Sequence, residues 1–271
     1  MAGPTLTPDL TGNPFVEVFA EDLPDGTATV TIHRLSEGRD WLVRGGVNIA
    51  TGVAALDFEA PFKTETWYRM EAFDESGNSL GYTEPSSITL DYDGTIIHQP
   101  LAPAQLWAPV RILPDSVASL VRPAPRGEMI AVEGGAVARW IGAPRQGLRG
   151  VRVAVRTETI EDAAQLEAAL GTYVTRQVGV LCIRTSSSIG WPRTFFARGD
   201  LALTDHDVRF GGTRTRFDAV MDEAEPPFPG LVVPLLTYDD LDAFGDYDVQ
   251  DATWLTYTDR DRAYELAGLA G

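Results

Sequence analysis

Hydrophobic and polar positions follow their clearest pattern between Arg149 and Arg184. Val151, Val153 and Val155 alternate with Arg152, Ala154 and Arg156, the period of a strand with one face on a core and one near water. A helix is predicted over 159–170. Thr159 stands as N-cap with Asp162 three residues on, acids fill the first turn, Ala163, Leu166 and Leu170 share one face, and Gly171 ends it. The continuous apolar run 178–183 that follows is short enough for a buried strand. One such strand-helix-strand unit in a strand-rich chain predicts a helix laid across the open side of a β-barrel or sandwich.

Upstream, short β-prone runs at 15–20, 27–34, 41–47, 54–59, 66–73 and 86–92 are separated by turn clusters such as Leu23-Pro24-Asp25-Gly26. Regular short strands so punctuated predict a sandwich over 15–93, preceded by an extended N-terminal arm over 1–14. Within it, the run Tyr68-Arg69-Met70-Glu71-Ala72-Phe73 and its turn Glu75-Ser76-Gly77-Asn78 resemble the penultimate strand and last turn of fibronectin type III domains. That resemblance implies a tyrosine corner at Tyr68, with the ring buried and the hydroxyl tied back to backbone.

Residues 94–109 carry Pro100, Pro103 and Pro109 and predict a stiff linker. Ile96, Ile97, Leu101, Leu106 and Trp107 make it too apolar for a free tether, so it is expected to pack along a domain surface or a neighbouring subunit. A second β-rich domain is predicted over 110–228, with strands at 116–122, 129–132, 136–140, 194–198, 201–203, 208–210 and 213–221, and a hairpin turn at Gly211-Gly212. The prolines of Glu225-Pro226-Pro227-Phe228-Pro229 close it. The fold class is thus mainly β: a fibronectin III-like β-sandwich, a β-barrel or sandwich with one helix, and a C-terminal extension over 229–271.

That extension differs in composition. From Thr237 onward nine acids face two arginines, with Tyr238, Phe244, Tyr247, Trp254, Tyr257 and Tyr264 interleaved, and Leu236-Thr237-Tyr238-Asp239-Asp240 is echoed by Leu255-Thr256-Tyr257-Thr258-Asp259. Acidic segments with spaced aromatics suit docking onto a partner; a short helical pair on the protein's own surface is the alternative.

The totals narrow the function classes. A length of 271 residues with 44% hydrophobic content is an ordinary globular balance. The formal charge of −17 argues against a nucleic-acid partner, because phosphate binding is built on concentrated Lys and Arg, so none is expected. Cys182, the single cysteine, offers neither disulfide nor thiolate metal site and is expected to be a buried, inert thiol. No run approaches the roughly 18 apolar residues of a membrane helix, so no membrane insertion is expected.

Candidate chemistry is sparse. There is no Gly-x-Ser-x-Gly, no His-Glu-x-x-His and no Gly-rich loop with lysine, and His33, His98 and His206 are scattered. Asp205-His206-Asp207 is better explained as a turn than as metal ligands, and Asp74-Glu75 lacks the oxygen spacing of a calcium loop. No catalytic residue, metal or cofactor is expected. Six tryptophans are spread one per segment; Trp191, in Ser-Ser-Ser-Ile-Gly-Trp-Pro, is the candidate for an exposed ring and a glycan contact.

The order of parts resembles the minor tail proteins of long-tailed phages infecting actinobacteria. The likeness rests on Asp22-Leu-Pro-Asp-Gly-Thr-Ala-Thr-Val-Thr-Ile-His-Arg-Leu35, Val43-Arg-Gly-Gly-Val47, Asp57-Phe-Glu-Ala-Pro-Phe62, Pro100-Leu-Ala-Pro103, Val153-Ala-Val-Arg-Thr157 and Asp222-Glu-Ala-Glu-Pro-Pro227. It implies a distal-tail or tail-tip structural protein, not an enzyme, located in the virion after assembly in the host cytoplasm. It further implies a homo-oligomeric ring, trimer or hexamer, between the tail tube and the tip or hub proteins. Trp107 would contact adjacent subunits; Tyr238, Phe244, Tyr247, Trp254, Tyr257 and Tyr264 would dock the next tail protein. The alternatives are a host-surface glycan-binding tail module through Trp191 and, more remotely, a glycosidase.

Overall fold

The computed structural model describes residues 2–19, 22–50, 54–117, 127–131, 133, 136–142, 147–171, 177–200, 202–205, 212–229, 236–254, 256–261, 263 and 266. The chain is mainly β. The first unit stacks two antiparallel sheets. One has the order β1 (Thr5–Asp9), β2 (Phe15–Phe19), β6 (Ala55–Asp57). The other runs β4 (Arg39–Leu42), β3 (Thr29–Ser36), β7 (Glu65–Phe73), β8 (Ser79–Tyr82), with β5 (Ile49–Ala50) on β3 and β9 (Ser86–Thr89) on β7. A three-stranded sheet against a six-stranded one makes a β-sandwich, and its alternating residues Val16, Val18, Ile32, Tyr68 and Met70 form one core. Within the stretch expected as an extended arm, Thr5–Asp9 pairs with Phe15–Phe19 in register as the first strand. The β3–β4 hairpin turns on Glu37 and Gly38, both at positive φ (51° and 75°), the backbone that a two-residue type I′ turn requires.

The second unit is a closed barrel. Its strands β10 (Thr95–His98), β11 (Trp107–Ile112), β14 (Val151–Thr157), β18 (Thr215–Glu223), β16 (Thr194–Arg198) and β15 (Leu181–Thr185) pair around a ring, β14 with β18 completing it, and β17 (Ala202–Asp205) adds to β18 outside. The segment expected to be a linker is thus a hairpin of the barrel wall. Pro109 sits in β11 without breaking the barrel, and the turn between the strands holds Pro100 and Pro103.

Both faces of β10 and β15 are buried. Ile97 and Ile183 point into the barrel core, while their neighbours on β10 and β15, Ile96, Cys182 and Arg184, are buried outside that core, Ile96 joining the sandwich core. That double burial explains two continuous apolar runs in an antiparallel barrel, where alternation is the rule.

Helix α1 (Ile160–Leu170) forms as expected. Thr159 accepts the Asp162 backbone N–H at 3.0 Å, Gly171 follows the last turn, and Ala163, Leu166 and Ala169 join the barrel core against β11. Gln99 pins it: its side-chain amide donates to the carbonyls of Ala169 and Val178, each at 3.0 Å.

The strand expected over 116–122 begins instead as a 3-10 turn, Pro114–Val117, and its remainder lies outside the described residues, as do 208–210 and the Gly211 half of the expected hairpin turn. The runs near 129 and 139 form a separate ribbon, β12 (Gly127–Ile130) with β13 (Arg139–Gly142), Met129 opposite Trp140. Every described residue of both strands is exposed.

The C-terminal extension is helical where described: α2 (Tyr238–Phe244), α3 (Tyr247–Thr253) and α4 (Tyr257–Asp261). The echoed sequence is a repeated cap. Thr237 and Asp240 form a full capping box, and the Thr256 hydroxyl accepts the Asp259 N–H and donates to its carboxylate. Asp246 caps α3, so a tyrosine opens each helix. Gln250 ties α3 to α2 through the carbonyls of Leu241 and Gly245.

Candidate functional site

The distinctive chemistry lies where sandwich and barrel meet. Strand β3 carries Arg34 and β6 ends on Asp57, both almost completely buried. One terminal nitrogen of Arg34 donates to both Asp57 oxygens, at 2.6 and 2.8 Å. Asp57 also accepts the Tyr68 hydroxyl at 2.8 Å and the Glu59 backbone N–H at 2.9 Å. Glu59 in turn accepts Arg44 Nε at 2.7 Å, and the Arg44 guanidinium reaches across to the carbonyls of Pro227 and Phe228. From the barrel, Arg184 donates to the Ala60 carbonyl and to the Asn13 side chain and lies 4.4 Å over the Phe62 ring. Asn13 is itself held by Pro103 O at 2.7 Å.

Burial sets the electrostatics. It works against the Arg34 cation, but Asp57, Glu59 and Tyr68 outweigh it and the pKa rises. Burial, then the Asp57 charge, pushes the Tyr68 phenol well above its ordinary value, so the hydroxyl remains a donor. Arg184 has neutral acceptors; burial lowers it to about 10, and it stays charged at neutral pH. Burial drives the Cys182 thiol upward, which keeps it protonated and inert as expected.

Burial first, then repulsion from Arg184, depresses His98 well below 6.5. The unfolded chain therefore takes up a proton that the folded chain refuses. Stability is full above pH 6.5 and declines as pH falls below it, with a slope approaching about 1.4 kcal/mol per pH unit. The carboxylates with lowered pKa, Asp74, Asp115, Glu158 and Asp218, act only below about pH 4. Urea titrations between pH 7.5 and 5 check this: the slope should flatten in His98→Gln, and an unchanged slope would assign it to another group.

Two grooves open along the same seam. One, of about 300 Å³, lies between the β3–β4 hairpin and the 190–194 loop and is lined by Arg34, Ser36, Glu37, Trp41, Trp191 and Thr194 among others. The second, of about 700 Å³, runs beside Arg39, Arg44, Glu59, Glu223 and Phe228. Cross-seam contacts hold the walls: Arg193 N donates to Glu37 at 3.0 Å, Arg39 meets Glu223 at 3.3 Å, and Trp41 lies 6.2 Å from Phe196.

The structure relocates several residues singled out by sequence. Tyr68 is buried, but its hydroxyl binds the Asp57 carboxylate rather than backbone, because Arg34 brings a carboxylate to that depth. Trp191, expected as an exposed ring, is only 5% exposed; it packs edge-on to Phe195 in the barrel core, leaving no face for stacking. Trp107 is half-buried against the sandwich core of its own chain, since β11 runs along the seam. Tyr238, Tyr247 and Tyr257 are largely exposed, whereas Phe244 and Trp254 pack on each other at 5.0 Å. Tyr264, His206 and Asp207 lie outside the described residues. Among the described residues no three potential metal ligands converge, and no helix is long and apolar enough to cross a membrane.

Sequence reasoning missed Arg34, Arg44, Asp57, Glu59 and Arg184. The available signal was Arg184 itself, a cation at the end of the run Val180-Leu181-Cys182-Ile183, which a strand buried on both faces tolerates only with partners. Comparison with protein-family models, with curated proteins and with solved structures returns no match.

Proposed function

We propose that the chain is a structural component of a phage tail tip, forming a ring or adaptor between the tail tube and the receptor-binding apparatus. The observation that carries this reading is the β12–β13 ribbon. An isolated two-stranded ribbon is marginal in water, yet this one leaves Met129 61%, Val137 79% and Ile141 61% exposed. Large apolar side chains on a protruding hairpin are what an interface leaves behind when the partner is absent. A hairpin reaching from each copy to a different surface on the next is a head-to-tail contact, which forms a ring when the rotation between copies closes.

The other support is division of labour. The sandwich and barrel share a wall and a buried charge network that would make one stiff block, as load transmission between neighbours requires. The three capped helices add exposed tyrosines at each N-terminus, large amphipathic rings that are favoured at interfaces. Copy number, three or six, and the tube and hub proteins as partners belong to this proposal.

Negative-stain electron microscopy and sedimentation of the purified chain test the ring, and immunogold labelling of phage particles tests its place. Rings, and label at the junction of tail tube and tip, are expected. A monomer at all concentrations, or label confined to peripheral fibres, would overturn the reading. Ending the chain after Leu236 should leave sandwich and barrel stability within about 0.5 kcal/mol of the full chain while abolishing incorporation into tails. Normal incorporation of that truncated chain would remove the docking role of the three helices.

A further inference from the structure

The outer face of the barrel over β11, β14 and β18 carries a row of like charges. Register places Arg111 beside Arg156 and Arg156 beside Arg216, so three arginines stand side by side across three adjacent strands. Like charges directly opposite one another destabilise a sheet. Three carboxylates are spread among these and two further arginines: Glu158 meets Arg111, Arg156 and Arg214, while Asp115 and Asp218 each meet both Arg152 and Arg216. Every carboxylate is thus shared. Even with Asp222 at the end of β18 included, arginines outnumber carboxylates on this face, in a chain whose formal charge is −17. Beside Arg152 in register stands Val220, an exposed apolar side chain among the cations.

Charge and position decide the occupant. The C-terminal helices are the complementary surface: Asp239 and Asp242 on α2 and Asp248 and Asp251 on α3 are exposed, with Tyr238 and Tyr247 exposed beside them. Carboxylates bind guanidinium groups, and aromatic rings take them on their faces. Around the ring of six strands, β14 lies opposite β15 and β18 opposite β10. Strands β10 and β15 face the sandwich, so the arginine face points away from it. The C-terminal segment leaves on the other side, where Arg44 and the Gly45 N–H of the sandwich bind the carbonyls of Pro227, Phe228 and Pro229. Among the described residues, α2 and α3 pack on each other and closely on no strand of their own chain. Matching surfaces on opposite sides of one chain meet head to tail between copies.

We propose that the arginine face of β11, β14 and β18 receives the acidic helices α2 and α3 of a second copy of the chain. The inference rests on the reading that copies assemble, and it gives the apolar ribbon contact a salt-sensitive companion. An exposed ion pair adds less than about tenfold to an affinity, so this contact strengthens the ribbon contact and does not replace it.

Sedimentation velocity of the full chain over a concentration series, at about 50 and about 500 mM NaCl, tests the proposal. The parent's apparent dissociation constant should rise about tenfold with the added salt. Arg111→Glu with Arg152→Glu on the face, or Asp242→Lys with Asp251→Lys on the helices, should each weaken association by at least about tenfold at the lower salt. Lysine toward the C-terminal end of each helix suits its dipole, so the helices stay formed. All four substitutions in one chain restore opposite charges at every contact, and the constant should return to within about threefold of the parent's; independent structural effects would add instead of cancelling. Arg111→Gln with Arg152→Gln serves as the milder face variant should charge reversal disturb the fold. A parent that assembles without salt dependence, folded variants that associate like the parent, or a fourfold variant no tighter than either pair would each overturn the proposal and leave the ring reading standing. A parent that stays monomeric at every concentration would overturn both.

Discussion

Asp57→Ala should destabilise the protein by about 3–5 kcal/mol, the range for removing one partner of a buried ion pair. Four donations converge on this carboxylate: two from Arg34, one from the Tyr68 hydroxyl and one from the Glu59 backbone. Its loss leaves the Arg34 guanidinium in the core with only Glu59, at 4.0 Å, as counter-charge. It also strands the Tyr68 hydroxyl and a buried N–H, each costing about 1–3 kcal/mol. Against a total stability of roughly 5–15 kcal/mol this is a large fraction. Tyr68→Phe, which removes a single donor, should cost about 1 kcal/mol. Replacing both charges, Arg34→Met with Asp57→Leu, should recover the part of the loss that comes from the unpaired Arg34 charge, but not the part from the Tyr68 hydroxyl and the Glu59 N–H, which stay without an acceptor. Urea unfolding followed by tryptophan fluorescence gives all three values. An Asp57→Ala loss below about 1 kcal/mol would mean that the pair is solvated and the seam looser than its geometry implies.

Because the network joins Arg44 to Pro227 and Phe228 and sets Arg184 against Ala60 and Asn13, its disruption should reach beyond the sandwich.

How much of this was legible depends on the range of the interactions. Helix α1, with its Thr159 cap and Gly171 stop, was readable because capping is encoded within four residues. Strands β2, β3, β6, β7 and β9 were readable for the same reason, through period and turn residues, whereas Ile49–Ala50 and Ser79–Tyr82 were not. The linker was misjudged over Thr95–His98 because its apolar run is buried by two different cores, one on each face, and alternation vanishes where both faces are covered. Thr5–Asp9 was missed because Thr-Leu-Thr-Pro-Asp has little strand signal and becomes a strand only by pairing with Phe15–Phe19. The charged seam was invisible: Arg34 and Asp57 are 23 residues apart, and Arg184 meets Asn13 over 171. Trp191 looked exposed because Ser-Ser-Ser-Ile-Gly is a loop, yet the residue after a loop can still close a core.

Substituting Met129→Thr and Ile141→Thr on the ribbon should abolish ring formation without altering the fold. Threonine favours strands and keeps the β-branch at position 141 while replacing apolar bulk with a hydroxyl, and the register Glu128 with Ile141 and Met129 with Trp140 is held by backbone pairing. Neither side chain belongs to either core, so stability should move by less than about 0.5 kcal/mol. If a neighbouring copy buries both, each replacement should remove about 2 kcal/mol from the contact, and together they raise its dissociation constant by about a thousandfold. A ring multiplies that loss, since every interface carries the same two substitutions. Sedimentation velocity should therefore show the parent as a closed oligomer and the double variant as a monomer with an unchanged melting temperature. An oligomer of the parent's size in the double variant would place the interface elsewhere, on the exposed tyrosines of the three helices, and the chain ending at Leu236 would then be the one to fall apart.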